Sequence, residues 1–337
     1  MGLEGATVRD AAVAVARRYG PRVPAYAGGI DLDFSLDQLL CQTDDNLKKG
    51  FRAIKMKVGR SRFSEDLERV RTMRDHLGAD FPLMVDANMR WSVDEAVRAA
   101  RGLSEFAVYW LEEPTIPDDV EGHRRIVRDG GLPIATGENL RALYEFKQMI
   151  ASGGVTFPEA DVTNCGGVTV FMKIAHMAEA FNLPITSHGA HDITIQLLAA
   201  LPNRSYHEVH GFGLERFLTH SLELQDGFAT APERPGHGVE FDWQTLDTAR
   251  TSGRSVPPLI HAVGDRCFSP ENYRSPDCAT RCTRVEDRPG RCSVRERLDK
   301  GNNIGREPGN GWTGLAAKRG SDDRPLIAVM SKYSRPK

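Results

Sequence analysis

Apolar positions along this chain follow two alternating rhythms. Short, mostly apolar runs recur at Val23–Ala27, Ala53–Val58, Leu83–Asp86, Val108–Glu112, Leu132–Thr136, Ala160–Thr163, Leu183–Ser187 and Ser205–Val209. Runs without a polar face read as strands buried on both sides. Between them lie segments such as EDLERVRTMRDHL, VDEAVRAARGLSEF, VEGHRRIVRDG, LYEFKQMIASG and VFMKIAHMAEAFN, whose apolar residues recur at helical spacing. Alternating strands and helices predict parallel βαβ units. Eight such strands predict an α/β fold of the TIM type, a (β/α)8 or (β/α)7β barrel. An open doubly wound sheet is the alternative, but no glycine-rich fingerprint follows the first strand.

The pattern divides the chain at both ends. Residues 1–22 predict one amphipathic helix, with Val8, Ala11, Ala12, Val15 and Ala16 on one face and Gly20-Pro21 as its stop. Residues 23–245 hold the barrel, closed by a segment reading GFATAPERPGHGVEFDW that is expected to pack back on it. Residues 246–337 are rich in Arg, Pro, Gly and Ser, have no sustained period, and predict a poorly ordered tail. Four cysteines lie there (Cys267, Cys278, Cys282, Cys292), but without a CxxC pair they argue for no zinc site. The basic tail lacks interleaved aromatics, so no nucleic-acid partner is expected.

Composition changes this picture little. With 337 residues, 40% hydrophobic, 27% charged and a net charge of −2, the chain is an ordinary globular composition that favours no particular partner. No apolar run approaches the length of a membrane span, and the N-terminus lacks the apolar centre of a signal peptide. Six scattered cysteines suggest a reducing, cytoplasmic setting.

Candidate chemistry lies at the C-terminal ends of the strands, where barrels of this type carry their sites. The second strand ends in Lys55 and Lys57, two residues apart and so on one face. Crowding and desolvation would push a lysine pKa down and make a base of it. The third ends with Asp86 and Asn88, the fourth with Glu112 and Glu113, the fifth with Glu138. Asp86, Glu112 and Glu138 are each 26 residues apart, one βα unit. Three carboxylates at one height need a cation, and a hard divalent ion, Mg²⁺ first, fits oxygen ligands. Each acid taken singly reads equally well as a helix cap. Glu112 shares a face with Trp110 and is the expected ligand, while Glu113 is expected to orient lysines or helix termini. The sixth strand carries Asp161 and the seventh ends in His188, a pairing that would fix the imidazole tautomer and raise its basicity. Glu208, on the eighth, is expected to hydrogen-bond substrate, and His191 and Asp192 to lie on the following helix.

Taken together, KMK at 55–57, VDAN at 85–88, WLEEP at 110–114, GEN at 137–139, Asp161 with Gly166-Gly167, and Ser187-His188 resemble the mandelate racemase subgroup of the enolase superfamily. AGGIDLDF, EEPTIPDD, NCGGVT, EVHGF and PGHGVEFDW are most similar to its acid-sugar dehydratases and cycloisomerases. The resemblance implies one Mg²⁺ held by Asp86, Glu112 and Glu138, stabilising the enediolate left when a proton α to a carboxylate departs. It implies Lys57 as base on one face, tuned by Lys55, which with Asn88 and Glu208 would contact substrate. On the other face it implies His188, oriented by Asp161. The expected substrate is an acid sugar, the expected reaction dehydration, with cycloisomerisation or racemisation using the same groups. A homo-oligomer is expected of an intact barrel.

Two departures stand out. The family's N-terminal capping domain is expected to be missing, since only about 22 residues precede the first strand, and about ninety unlike residues follow the barrel. A barrel that keeps its metal site without catalysis is therefore the alternative of another class. A hydrolytic barrel would need histidine ligands at early strand ends, and none is there.

Overall fold

Strands β1 (Arg22–Gly28), β2 (Ile54–Lys57), β3 (Leu83–Asp86), β4 (Leu111–Glu112), β5 (Ile134–Thr136), β6 (Phe157–Asp161), β7 (Ile185–His188) and β8 (Arg204–Val209) pair in parallel in sequence order, and β1 pairs with both β8 and β2, closing the barrel. The computed structural model describes residues 19–251, apart from 211–213 and 235. The N-terminal helix read over residues 1–22 and the tail read over 246–337 lie almost wholly outside the described residues.

Seven helices connect the strands: α1 (Leu36–Lys48), α2 (Phe63–Leu77), α3 (Val93–Leu103), α4 (Val120–Gly130), α5 (Leu143–Ser152), α6 (Val168–Ala180) and α7 (His191–Ala199). After β8 come a 3-10 turn (Leu214–Phe217), the hairpin strands β9 (Glu223–Gln225) and β10 (Phe228–Thr230), and α8 (Trp243–Thr251). The described residues thus form a (β/α)7β barrel. Helix starts are locally encoded: Ser35 with Gln38 and Ser92 with Glu95 each make a full capping box. Strand β10 runs antiparallel to β1, with Val23 opposite Ala229, so the GFAT part of the closing segment does pack back on the barrel.

Most strands begin and end within two residues of the sequence expectation, but β4 and β6 each start three residues away from it. β6 spans Phe157–Asp161 rather than Ala160–Thr163: Thr163 instead donates through its backbone N–H and its hydroxyl to Asp161 Oδ1, both at 2.6 Å, turning the chain. β4 is reduced to Leu111–Glu112, although Tyr109 N–H still bonds Leu83 O at 2.8 Å.

Apolar residues fill the layer between barrel and helices, and a separate cluster of Tyr26, Ala53, Met84, Trp110, Ala135 and Phe157 fills the barrel itself. Four of its members come two residues before a charged one: Ala53 before Lys55, Met84 before Asp86, Trp110 before Glu112, Phe157 before Glu159. The period-2 geometry of a strand therefore builds an apolar floor under a charged layer.

Candidate active site

Barrel register brings the predicted residues together. Lys57 is paired with Asp86, Asp86 with Glu112, and Asp161 with His188. Glu138 lies two residues past the end of β5, beyond Gly137, whose φ is 142°. A Cβ there would stand 2.7 Å from Glu159 O and from Phe146 Cε1, so only glycine passes the chain through this point. Asp86, Glu112 and Glu138 offer oxygen atoms that all lie within 4.8 Å of one another.

Each carboxylate of this trio faces a basic group. Lys57 Nζ contacts Asp86 Oδ2 at 2.5 Å, Lys55 Nζ contacts Glu112 Oε1 at 2.5 Å, and His188 Nε2 lies 3.0 Å from Glu138 Oε2. Lys55 Nζ also reaches Glu208 Oε1 at 3.0 Å. Two buried acids and a half-buried third, gathered within reach of one another, favour positive charge between them, and an all-oxygen donor set fits a hard divalent cation. Asn88 holds Asp86 from above, its N–H to Oδ1 at 2.8 Å and Nδ2 to Oδ2 at 3.2 Å. Trp110 Nε1 donates to Glu112 Oε2 at 3.1 Å, tying the floor to the charged layer.

Electrostatics depart from the sequence expectation for the lysines. Burial alone would lower Lys55, but Glu112 and Glu208 outweigh it and hold its pKa well above the ordinary value. Burial would lower Lys57 too, and Asp86 raises it. The lysines do not depress each other decisively because each has its own carboxylate. Burial would also lower the His188 imidazole; Glu208, the hydrogen bond it donates to Asp161, and Glu138 push it up to about 10. Asp161 Oδ2 lies 2.9 Å from His188 Nδ1, leaving Nε2 to the site.

A cavity of about 230 Å³ is lined by Gly28, Gly29, Ile30, Lys57, Asn88, Glu138, His188, Glu208 and His210. It unites Lys57 with His188, from β2 and β7. Lys55 is only 2% exposed and is not among the residues that line this cavity, whereas Glu208, similarly buried, is. Glu113 turns to Asn139 Nδ2 at 2.7 Å rather than to a lysine or a helix terminus, and burial pushes its carboxyl up to about 7. His191 does lie on α7, with Nε2 3.2 Å from Asp192 Oδ2.

Sequence reasoning missed four residues. Glu159 is fully buried one pleat below Asp161, with Oε1 accepting from Tyr26 OH at 3.1 Å. His210 lines the cavity, and burial pushes its imidazole down to about 4. Asp31 and Arg69 are buried beside Lys57. For Glu159 a signal existed, since it shares a face with Asp161 at strand spacing; for Asp31 and Arg69 nothing local announced it.

A closed parallel barrel with an acidic trio, flanked by a lysine and an Asp–His pair, defines an enolase-type barrel. The family profile described as enolase C-terminal domain-like matches residues 39–245, and the chain belongs to that family. It is 54% identical over 228 residues to 3,6-anhydro-alpha-L-galactonate cycloisomerase of Streptomyces coelicolor, covering 68% of this chain and 63% of the relative. Among solved structures, a racemase from Streptomyces coelicolor A3(2) with bound magnesium superposes with a TM-score of 0.67 at 51% identity, covering 69% of this chain and 66% of that one. L-talarate dehydratase from Polaromonas sp. JS666, complexed with Mg and L-glucarate, gives a TM-score of 0.67 at 34% identity over 70% of this chain and 66% of that one. The chain thus spans somewhat less than two-thirds of the length of these relatives. Among the described residues, no helix is long and apolar enough to cross a membrane.

Proposed function

We propose that this barrel removes the proton α to the carboxylate of an acid sugar and then expels the oxygen on the β carbon. The single observation that carries the reading is the shared cavity: Lys57 and His188 both line it, from separate strands, beside Glu138 of the acidic trio. The names of the relatives support it further. A dehydratase loses a β-hydroxyl as water, and a 3,6-anhydro ring is a β-oxygen tethered to the same molecule. Both are one elimination with different leaving groups.

Asp86, Glu112 and Glu138 would hold Mg²⁺, which would supply the positive charge that makes an α-proton of a carboxylate removable. With the acids so engaged, the hold of Asp86 on Lys57 and of Glu138 on His188 would weaken. Lys57 Nζ takes the α-proton on one face, and the electron pair moves into the carboxylate as an enediolate. His188, held as imidazolium donor by Asp161, delivers its Nε2 proton to the departing β-oxygen as the carbon–oxygen bond breaks. For a substrate of the opposite α-configuration the roles reverse: His188 in its neutral form takes the α-proton at Nε2, and the Lys57 ammonium gives its proton to the departing β-oxygen. Lys55 and Glu208 fix the charged layer beneath. Racemisation uses the same two groups without the elimination.

The test is exchange. Protein is incubated with magnesium and a panel of acid sugars in D₂O, and the α-proton is followed by NMR. Loss of that signal with at least one acid sugar is expected. Folded protein that exchanges none of them sinks the reading and leaves a metal-binding barrel.

A further inference from the structure

We infer that a buried Asp31–Arg69 pair fixes the backbone of Lys57, and that both are positioning residues for proton transfer on the Lys57 face. This rests on the proposed role of Lys57 as base.

The need arises from the barrel's own register. Strand β1 ends at Gly28, which pairs with Lys55. Two residues further along β2, Lys57 has no β1 partner for its backbone, and unpaired buried backbone groups are costly. Side chains replace the missing strand. Lys57 N–H donates to Asp31 Oδ1 at 2.8 Å, and Arg69 Nη1 donates to Lys57 O at 2.6 Å. Arg69 is also joined to Asp31: its Nη2 donates to the Asp31 backbone carbonyl at 2.7 Å and to Oδ1 at 3.4 Å. Gln42 Nε2 holds the second oxygen, Oδ2, at 2.9 Å. Both polar groups of one peptide residue are thus gripped by one ion pair, 0% and 2% exposed.

The surroundings are built for this grip. A Cβ on Gly29 would stand 2.2 Å from Asp31 Oδ2, so that residue must be glycine for the carboxylate to turn inward. One turn before Arg69 on α2, Asp66 Oδ2 accepts from Gly59 N–H at 2.9 Å and Arg60 N–H at 3.0 Å. Helix α2 therefore holds the whole exit of β2. A buried ion pair adds little net stability against an apolar replacement, and its best-attested use is to fix register. The register fixed here is that of Lys57, and displacing a reacting group by about 1 Å costs on the order of 10²-fold in rate.

The experiment measures α-proton exchange in D₂O with saturating magnesium, using L-galactonate and its C2 epimer, monocarboxylates with a single α-carbon each, so that the Lys57 face and the His188 face are read separately. The chains compared are wild type, Asp31→Ala, Asp31→Asn, Arg69→Met, Lys57→Ala and His188→Asn. Asp31→Ala and Arg69→Met are expected to slow the Lys57 face about 10- to 100-fold while the His188 face stays within about threefold. Asp31→Asn keeps an acceptor for Lys57 N–H and is expected to recover most of the rate, which a mere loss of packing would not explain. If Asp31→Ala does not fold, Gln42→Leu frees Oδ2 alone and should give a smaller loss confined to the Lys57 face. Equal loss on both faces in folded variants, or no loss, overturns the inference while leaving the proposed function intact. An unaffected Lys57→Ala chain overturns that function and the inference with it.

Discussion

Asp161 and His188 stand directly opposite each other across β6 and β7, and the imidazole Nδ1 meets the carboxylate at 2.9 Å. Strand register, not loop conformation, sets this pair, so its geometry is as rigid as the barrel. Replacing Asp161 with Ala leaves His188 in place but frees its tautomer. Exchange on the His188 face should fall by about 10²–10⁴-fold, with the Lys57 face largely retained. Equal rates on both faces in the variant would show that Asp161 does not orient the imidazole.

Metal binding should register as stability. Magnesium at about 100 times its dissociation constant is expected to stabilise the folded chain by about 2.7 kcal/mol. Glu138→Gln should remove most of that gain, and a chelator all of it. Denaturant unfolding with and without magnesium reads the difference; a gain unchanged by Glu138→Gln would place the ion elsewhere.

Gly137 makes a backbone prediction. Gly137→Ala would force a methyl to 2.7 Å from Glu159 O at a φ of 142°. The strain is on the order of 1–3 kcal/mol, and relief would displace Glu138. Reduced thermal stability together with weakened divalent binding, by calorimetry, is the expected result. Lost stability with unaltered binding would uncouple the glycine from the trio.

Burial pushes the His207 imidazole down to about 3, and Ser187 Oγ lies 2.9 Å from its Nδ1. A histidine with a depressed folded pKa is neutral when folded and takes up a proton on unfolding. Its contribution is complete above the unfolded value near 6.5 and is lost as pH falls from there toward about 3. Stability should therefore drop by up to about 1.4 kcal/mol per pH unit across that range for this group alone. His207→Gln should flatten the slope between pH 6 and about 4. A parallel slope in urea titrations would mean that other groups set the acid limit.

The barrel and the acidic trio were legible because strand period and strand order are local signals that a barrel turns directly into geometry. Asp86, Glu112 and Asp161 could be placed from sequence since each sits at a strand's C-terminal end. The β6 boundary was harder: Pro158 argues against a strand, yet β6 accepts it as its second residue. Lysine electrostatics were misjudged because sequence shows Lys55 beside Lys57 but not Glu112 and Asp86 arriving from neighbouring strands. Asp31 and Arg69 lie 38 residues apart, on a loop and a helix, and only the closed fold shows that both reach one peptide.

The apolar floor has an evolutionary consequence. Trp110, Met84 and Phe157 support the charged layer from below, on the same short strands that carry it. Much of the reactivity is thereby inherited with the strands, since Lys57, Asp86, Glu112, Asp161 and His188 all sit on them. A lineage that keeps this chemistry must keep the floor beneath it as well.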